Sequence, residues 1–246
     1  FVRDGIERAA IRHEERVRVA TFRETGRTDE SILFQDHVLL EPGTYHVEVA
    51  VSDSIGRRGL EVVDTIDVPS FAGDPAPPAL LIVHEATGRD GRSRPPAVIL
   101  NSRQAAAYGG AAPVIHVEAY DSASATLELR VTDAAGDSVF AIQLHATPAS
   151  APDTSLWHAT TPLPIESLPL GVLRVAVRSP ASGVSSRSET LLVTISDQWM
   201  VANYEEVLDY LAFIASRGEI ERLREAATPA ERRAAWEEFW ARRDPV

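Results

Sequence analysis

Up to Ser196 the chain repeats one pattern: short apolar runs, many alternating with polar residues, broken by glycine and proline. Tyr45, Val47, Val49 and Val51 show it most cleanly, with a period of two that puts apolar side chains on one face of a half-buried strand. Strands of this kind bury their apolar face only against another layer, which restricts the chain to stacked or closed sheets.

The N-terminal part predicts strands at VRVATF (17–22), SILFQDHVLL (31–40), TYHVEVAVSD (44–53) and LEVVDTIDVP (60–69), with turn chemistry at Pro42-Gly43 and at 54–59. PSFAGDPAPP (69–78) carries four prolines and no periodicity, the mark of a domain boundary. Eight further strands are predicted after it: ALLIVHE, PAVILN, PVIHVEAY, TLELRVTD, SVFAIQLHA, SLWHATT, VLRVAVRS and TLLVTIS. ATGRDGRSRPP and RQAAAYGGAA read as loops between them. The halves echo each other, LEPGTYHVEVAVSD aligning with LPLGVLRVAVRSP when Gly43 is matched to Gly171. The expected fold is mainly β: two tandem immunoglobulin-like antiparallel β-sandwiches followed by a short helical C-terminal segment. Residues 1–70 would form the first module, incomplete at its N-terminal side, 71–78 the linker, 79–196 the second module and 197–246 three helices.

From Asp197 the period changes. Tyr204, Val207, Leu208, Leu211 and Ile214 recur at three and four, predicting an amphipathic helix that Gly218 breaks. Ile220, Leu223, Ala226 and Ala227 carry a second helix. Thr228-Pro229-Ala230-Glu231 then holds a cap, a first-turn proline and the acidic member of a capping box. The third helix places Trp236, Phe239, Trp240 and Arg243 on one face before Asp244-Pro245.

Of 246 residues, 24 are basic, all of them Arg, against 36 acidic, for a net charge of −12. That balance argues against nucleic acid or anionic lipid as partner, since both need a basic surface. No cysteine is present, which excludes disulfides and thiolate metal sites. The sequence starts at Phe1, so a processed or trimmed N-terminus is expected, with any signal segment or lipid anchor upstream.

Catalytic constellations are not legible. The seven His residues (13, 37, 46, 84, 116, 145 and 158) form no close pair with ligand spacing, so no metal site or cofactor is expected. His46 and His116 read as solvent-facing or edge residues of strands. GRSRP lacks the second glycine of a nucleophile elbow. Glu14-Glu15, Glu205-Glu206 and Glu237-Glu238 are adjacent residues that diverge too far to straddle a scissile bond. Asp133 and Asp137 read as a hairpin turn and not as calcium ligands. The chain is read as a non-enzyme.

The tail carries a resemblance. Ile214 to Ser216, Leu223-Arg224, Glu231-Arg232 and Phe239-Trp240 through Arg243-Asp244-Pro245 resemble the helical segment that leads into the bacterial GWxTD domain. PVIHVEAYD (113–121) resembles the strand such proteins place in a preceding β-sandwich. The sequence stops at Val246, ahead of the Gly-Trp-x-Thr-Asp motif, so no catalytic residue carries over. Two readings stay open: a chain naturally truncated ahead of the motif, or a motif-bearing remainder that was cleaved or lies beyond this sequence. The resemblance implies location at the cell envelope and gives no chemistry.

Architecture and resemblance together lead to a non-catalytic scaffold or accessory subunit, periplasmic and peripheral to a membrane, that binds protein subunits of a larger envelope complex. Trp236, Phe239, Trp240, Arg242 and Arg243 are the candidate partner-binding residues, being of the types that dominate interface hot spots. One alternative is a ligand- or glycan-binding sandwich using Tyr108, Tyr120 and Trp157. The other is a fragment of an envelope enzyme.

Overall fold

The computed structural model describes residues 1–14, 16, 33–53, 58–70, 77–89, 91, 94–120, 126–149 and 156–243. The fold is mainly β with a short helical C-terminal segment. All eight strands predicted after the proline-rich stretch are present: β5 (Ala79–Ala86), β6 (Val98–Leu100), β8 (Val114–Ala119), β9 (Thr126–Thr132), β10 (Ser138–His145), β12 (Trp157–Pro162), β13 (Gly171–Arg178) and β14 (Glu189–Ile195). Two strands join them, β7 (Ala105–Tyr108) and β11 (Thr147–Pro148).

These strands make two five-stranded sheets, β11-β12-β8-β5-β6 and β10-β9-β13-β14-β7, enclosing one core. Alternation decides which side chains enter it. In β13, Leu173, Val175 and Val177 are buried while Arg174 and Arg178 are exposed. In β8, Ile115, Val117 and Ala119 point inward and meet Leu127, Leu129 and Val131 of the opposite sheet in that core. Each buried Val, Leu or Ile contributes about 1.5–3 kcal/mol. The strand order is that of an immunoglobulin-like sandwich.

RQAAAYGGAA is not wholly a loop. Its Ala105–Tyr108 stretch forms β7, paired in parallel with β14 through Leu192↔Ala105 to Ile195↔Tyr108. Three alanines carry no polar–apolar alternation, so only the neighbouring strand reveals it.

The first module is simpler than expected. Its described residues form one sheet, β2-β1-β3-β4, built from β1 (Val2–Arg3), β2 (Ile6–Glu7), β3 (Gly43–Asp53) and β4 (Arg58–Val68). No second layer is seen among the described residues, and VRVATF lies outside them. SILFQDHVLL is not a strand over 33–40. Its Gln35 instead donates from Nε2 to the Val98 carbonyl (2.7 Å) and accepts from the Leu100 N–H (2.8 Å), so one side-chain amide stands in for a strand on the edge of β6. Gly43 and Gly171 both open their strands with positive φ, +149° and +114°.

Among the described residues the C-terminal segment holds four α-helices: α1 (Asp197–Ala202), α2 (Tyr204–Leu211), α3 (Arg217–Arg224) and α4 (Pro229–Ala241). Gly218 does not break a helix but lies in the first turn of α3. That start is set by Ser216 and Glu219, whose carboxylate accepts from the Ser216 N–H (2.8 Å) and Oγ (2.7 Å). The predicted cap of α4 is present: Glu231 N–H donates to Thr228 Oγ1 (3.3 Å), and the Glu231 carboxylate accepts from the Thr228 N–H (2.9 Å). Met200, Tyr204, Val207, Leu208, Leu211, Ile220, Leu223 and Phe239 form a core of their own. Among the described residues no helix is long and apolar enough to cross a membrane.

Candidate functional site

The five tail residues do not form one exposed face. Phe239 is 4% exposed and belongs to the helical core. The Arg243 guanidinium lies over its ring at 3.8 Å and pairs with Glu219 at 3.0 Å, which ties α4 to α3. Trp236 is half-buried and meets Trp240 edge-on at 5.6 Å. Arg242 pairs with Glu238 one turn back at 2.5 Å. Only Trp240, at 38% exposure, and Arg242 present surface to a partner. Nearby in the chain, Phe213 is 89% exposed at the turn after α2.

The helices meet the sandwich through Trp199. Its ring packs edge-on against Tyr108 at 5.2 Å. Ser196 Oγ donates to the Tyr108 carbonyl (2.6 Å) and accepts from the Trp199 N–H (3.2 Å), so one hydroxyl caps α1 and fixes it to β7. Gly109 is needed beside it: φ is +72°, and a Cβ there would stand 2.9 Å from the Trp199 Cβ. Trp199 thus docks helix on sandwich, whereas Trp236 and Trp240 pack within the helices.

The larger exposed apolar surface is on β3 and β4. Their ladder runs without a bulge from Gly43↔Val68 to Asp53↔Arg58, an arm of roughly 35 Å. Tyr45 is buried at its base, where its hydroxyl donates to the Glu41 carbonyl (2.8 Å) and Arg3 stacks on its ring. Beyond Tyr45 the same face carries the pairs Val49↔Val62 and Val51↔Leu60, all at least half exposed, with Leu60 at 68%. Val63 on the opposite face is 62% exposed. A two-stranded hairpin alone is marginally stable in water. No sheet reading of the sequence singles this arm out, because Tyr45 to Val51 looks like any core strand.

A buried polar network on the outer face of β8 was also missed. His116 is fully buried and Glu118 nearly so, which corrects the solvent-facing expectation for His116. Glu118 Oε2 accepts from Arg89 (2.6 Å) and from the Tyr120 hydroxyl (2.8 Å), while Oε1 faces His116 Nε2 at 3.6 Å. His116 Nδ1 lies 3.2 Å from Thr160 Oγ1. Arg89 also donates to the Arg94 carbonyl (2.9 Å), so the network ties Arg89 and Arg94 to β8. Loop and sheet leave an open cleft of about 580 Å³ beside His158. The signal was the two-residue spacing of His116, Glu118 and Tyr120 opposite an Arg-rich loop.

Of the aromatic residues suited to sugar stacking, Tyr108 donates to the Leu168 carbonyl, Tyr120 to Glu118, and Trp157 packs on the sandwich core. Asp133 Oδ1 accepts from the amides of Ala135 and Asp137, each at 2.9 Å, the contacts of a hairpin turn. No known family model matches this sequence, and no match is found among curated proteins, so the surfaces described above carry the functional argument.

Proposed function

We propose that the protein is a non-catalytic scaffold or accessory subunit that stabilises a larger assembly at the cell envelope, held on the periplasmic side and peripheral to the membrane. The observation that carries the proposal is the β3–β4 arm, whose aliphatic pairs Val49↔Val62 and Val51↔Leu60 stand in water. An apolar sheet face of this size is a protein-docking surface when it is contiguous and rimmed by polar residues. Trp240 and Phe213 on the helical segment supply a second, smaller contact. The envelope location rests on the resemblance of the tail to the segment preceding GWxTD domains. Net acidity favours basic protein surfaces over lipid.

The experiment is gentle detergent solubilisation of source membranes, native separation and mass spectrometry of each band, repeated with a Val49→Glu, Leu60→Glu variant. Co-migration with a large complex that survives a salt wash, and its loss in the variant, is the expected result. A lone monomer in both samples would refute the reading.

A further inference from the structure

We propose that β4 receives an added strand from a partner protein, an extended segment with a basic residue at every third position; this rests on the scaffold reading above. Among the described residues β4 lies at the outer edge of its sheet, with β3 on one side and no strand on the other. Natural proteins blunt such edges with proline, charged side chains (lysine above all), bulges or short length. β4 has no proline, lysine or bulge in its eleven residues and keeps one register with β3 throughout, so its charges, mostly acidic, are what guards the edge. Alternate residues therefore turn N–H and C=O groups outward along a straight edge, the geometry that β-strand addition uses.

Charge selects the occupant. Glu61, Asp64 and Asp67 are all exposed and recur at every third residue, with no basic residue from 59 to 68. Strand residues alternate faces, so Glu61 and Asp67 share one face and Asp64 lies on the other. Asp67 accepts from the Thr44 hydroxyl (2.6 Å), and Asp64 Oδ1 accepts from the Thr65 N–H (2.7 Å). A second copy of β4 would bring like charges into apposition, which is destabilising across a strand pair. An incoming strand with Arg or Lys opposite each carboxylate turns the same three positions into attractions. The positions between them, facing Leu60, Val62, Val63 and Ile66, call for β-branched or aromatic residues. This three-residue period gives the partner a signature readable in its sequence, and it fits either strand direction.

The test uses a labelled nine-residue peptide with Arg at its second, fifth and eighth positions and Val, Ile or Thr elsewhere, beside the same peptide with Glu for Arg. Anisotropy titrations and amide hydrogen exchange are run on the wild type and on a Glu61→Arg, Asp64→Arg, Asp67→Arg variant. The expected result is that the wild type prefers the Arg peptide by about tenfold or more, that β4 amides slow on binding, and that the variant reverses the preference. Equal binding of both peptides, or none, overturns the proposal. So do β4 amides already slow in the free protein, which would mean that the chain covers its own edge, and a dimer whose β4 amides are protected. If the chain enters its native assembly while the β4 amides still exchange freely, strand addition fails and the scaffold reading stands.

Discussion

Nε2 of His116 lies 3.6 Å from Oε1 of Glu118, two residues along the same strand, with both side chains buried on the face of the sheet that points away from its apolar core. A carboxylate so placed is held by its partners or not at all. Burial pushes Glu118 up, but His116, Arg89 and Tyr120 together outweigh it and hold the group below its ordinary value.

That balance gives a pH dependence. A carboxyl depressed in the fold stabilises it above the unfolded value, about 4.3 for Glu. The contribution is lost as pH falls through the folded value. Glu118→Gln should cost about 3 kcal/mol at neutral pH, because it leaves Arg89 beside a neutral amide. It should also flatten the acid limb of stability. Urea unfolding at neutral and acid pH reads both, and a variant as stable as the wild type at neutral pH would refute the assignment.

Glu219 behaves differently because it sits at a helix start. Its hydrogen bond with Arg243, then those with Ser216, pull it down to about 2. The helical segment should therefore keep its capping contact as pH drops below the ordinary carboxylate range and lose it progressively towards that value. Glu219→Gln and Arg243→Ala should each lower the melting temperature of the helices, followed by far-ultraviolet circular dichroism. An unchanged acid titration in both variants would show the contact to be idle.

Gly109→Ala places a methyl group against Trp199 and forces an L-residue into positive φ. The combined strain is on the order of 1–3 kcal/mol. The expected outcome is loosening of α1 from β7, read as faster proteolytic release of the helical segment with the sandwich intact. Equal protease resistance would refute the close approach.

Phe239 and Trp240 are neighbours with opposite roles. Phe239→Ala should cost about 3–5 kcal/mol in helical stability, as expected for an emptied aromatic core site. Trp240→Ala should cost less than about 1 kcal/mol and, on the scaffold role proposed above, weaken attachment to the assembly. Thermal melts and native separation of the two variants distinguish core from contact, and equal destabilisation would remove Trp240 as a docking residue.

The strands of the sandwich were legible because one face of each is apolar and the other is not, as in Leu173 to Val177. The α4 start was legible because Thr228, Pro229 and Glu231 act locally. What escaped depends on contacts across the chain. Ala105 to Ala107 make a strand only because β14 lies alongside. Gln35 closes an edge with its side chain 63 residues away in sequence from Val98. The Asp4-Gly5 pair, both residues at positive φ, turns β1 into β2, a hairpin dipeptide hidden by the mixed patterning around it. His116 has the period of a solvent-facing residue, yet it is fully buried beside Thr160 of β12 and Glu118. Among the five tail residues, composition suggested contact, but the burial of Phe239 follows from how α3 and α4 meet.

β14 ends at Ile195 and α1 begins at Asp197, so Ser196 is the whole joint between sandwich and helices, with its hydroxyl engaged on both sides. A joint that short transmits angle as well as position. One residue added inside α1 would turn whatever follows it by about 100°, so this joint sets the bearing of the helices on the sandwich as well as their distance from it.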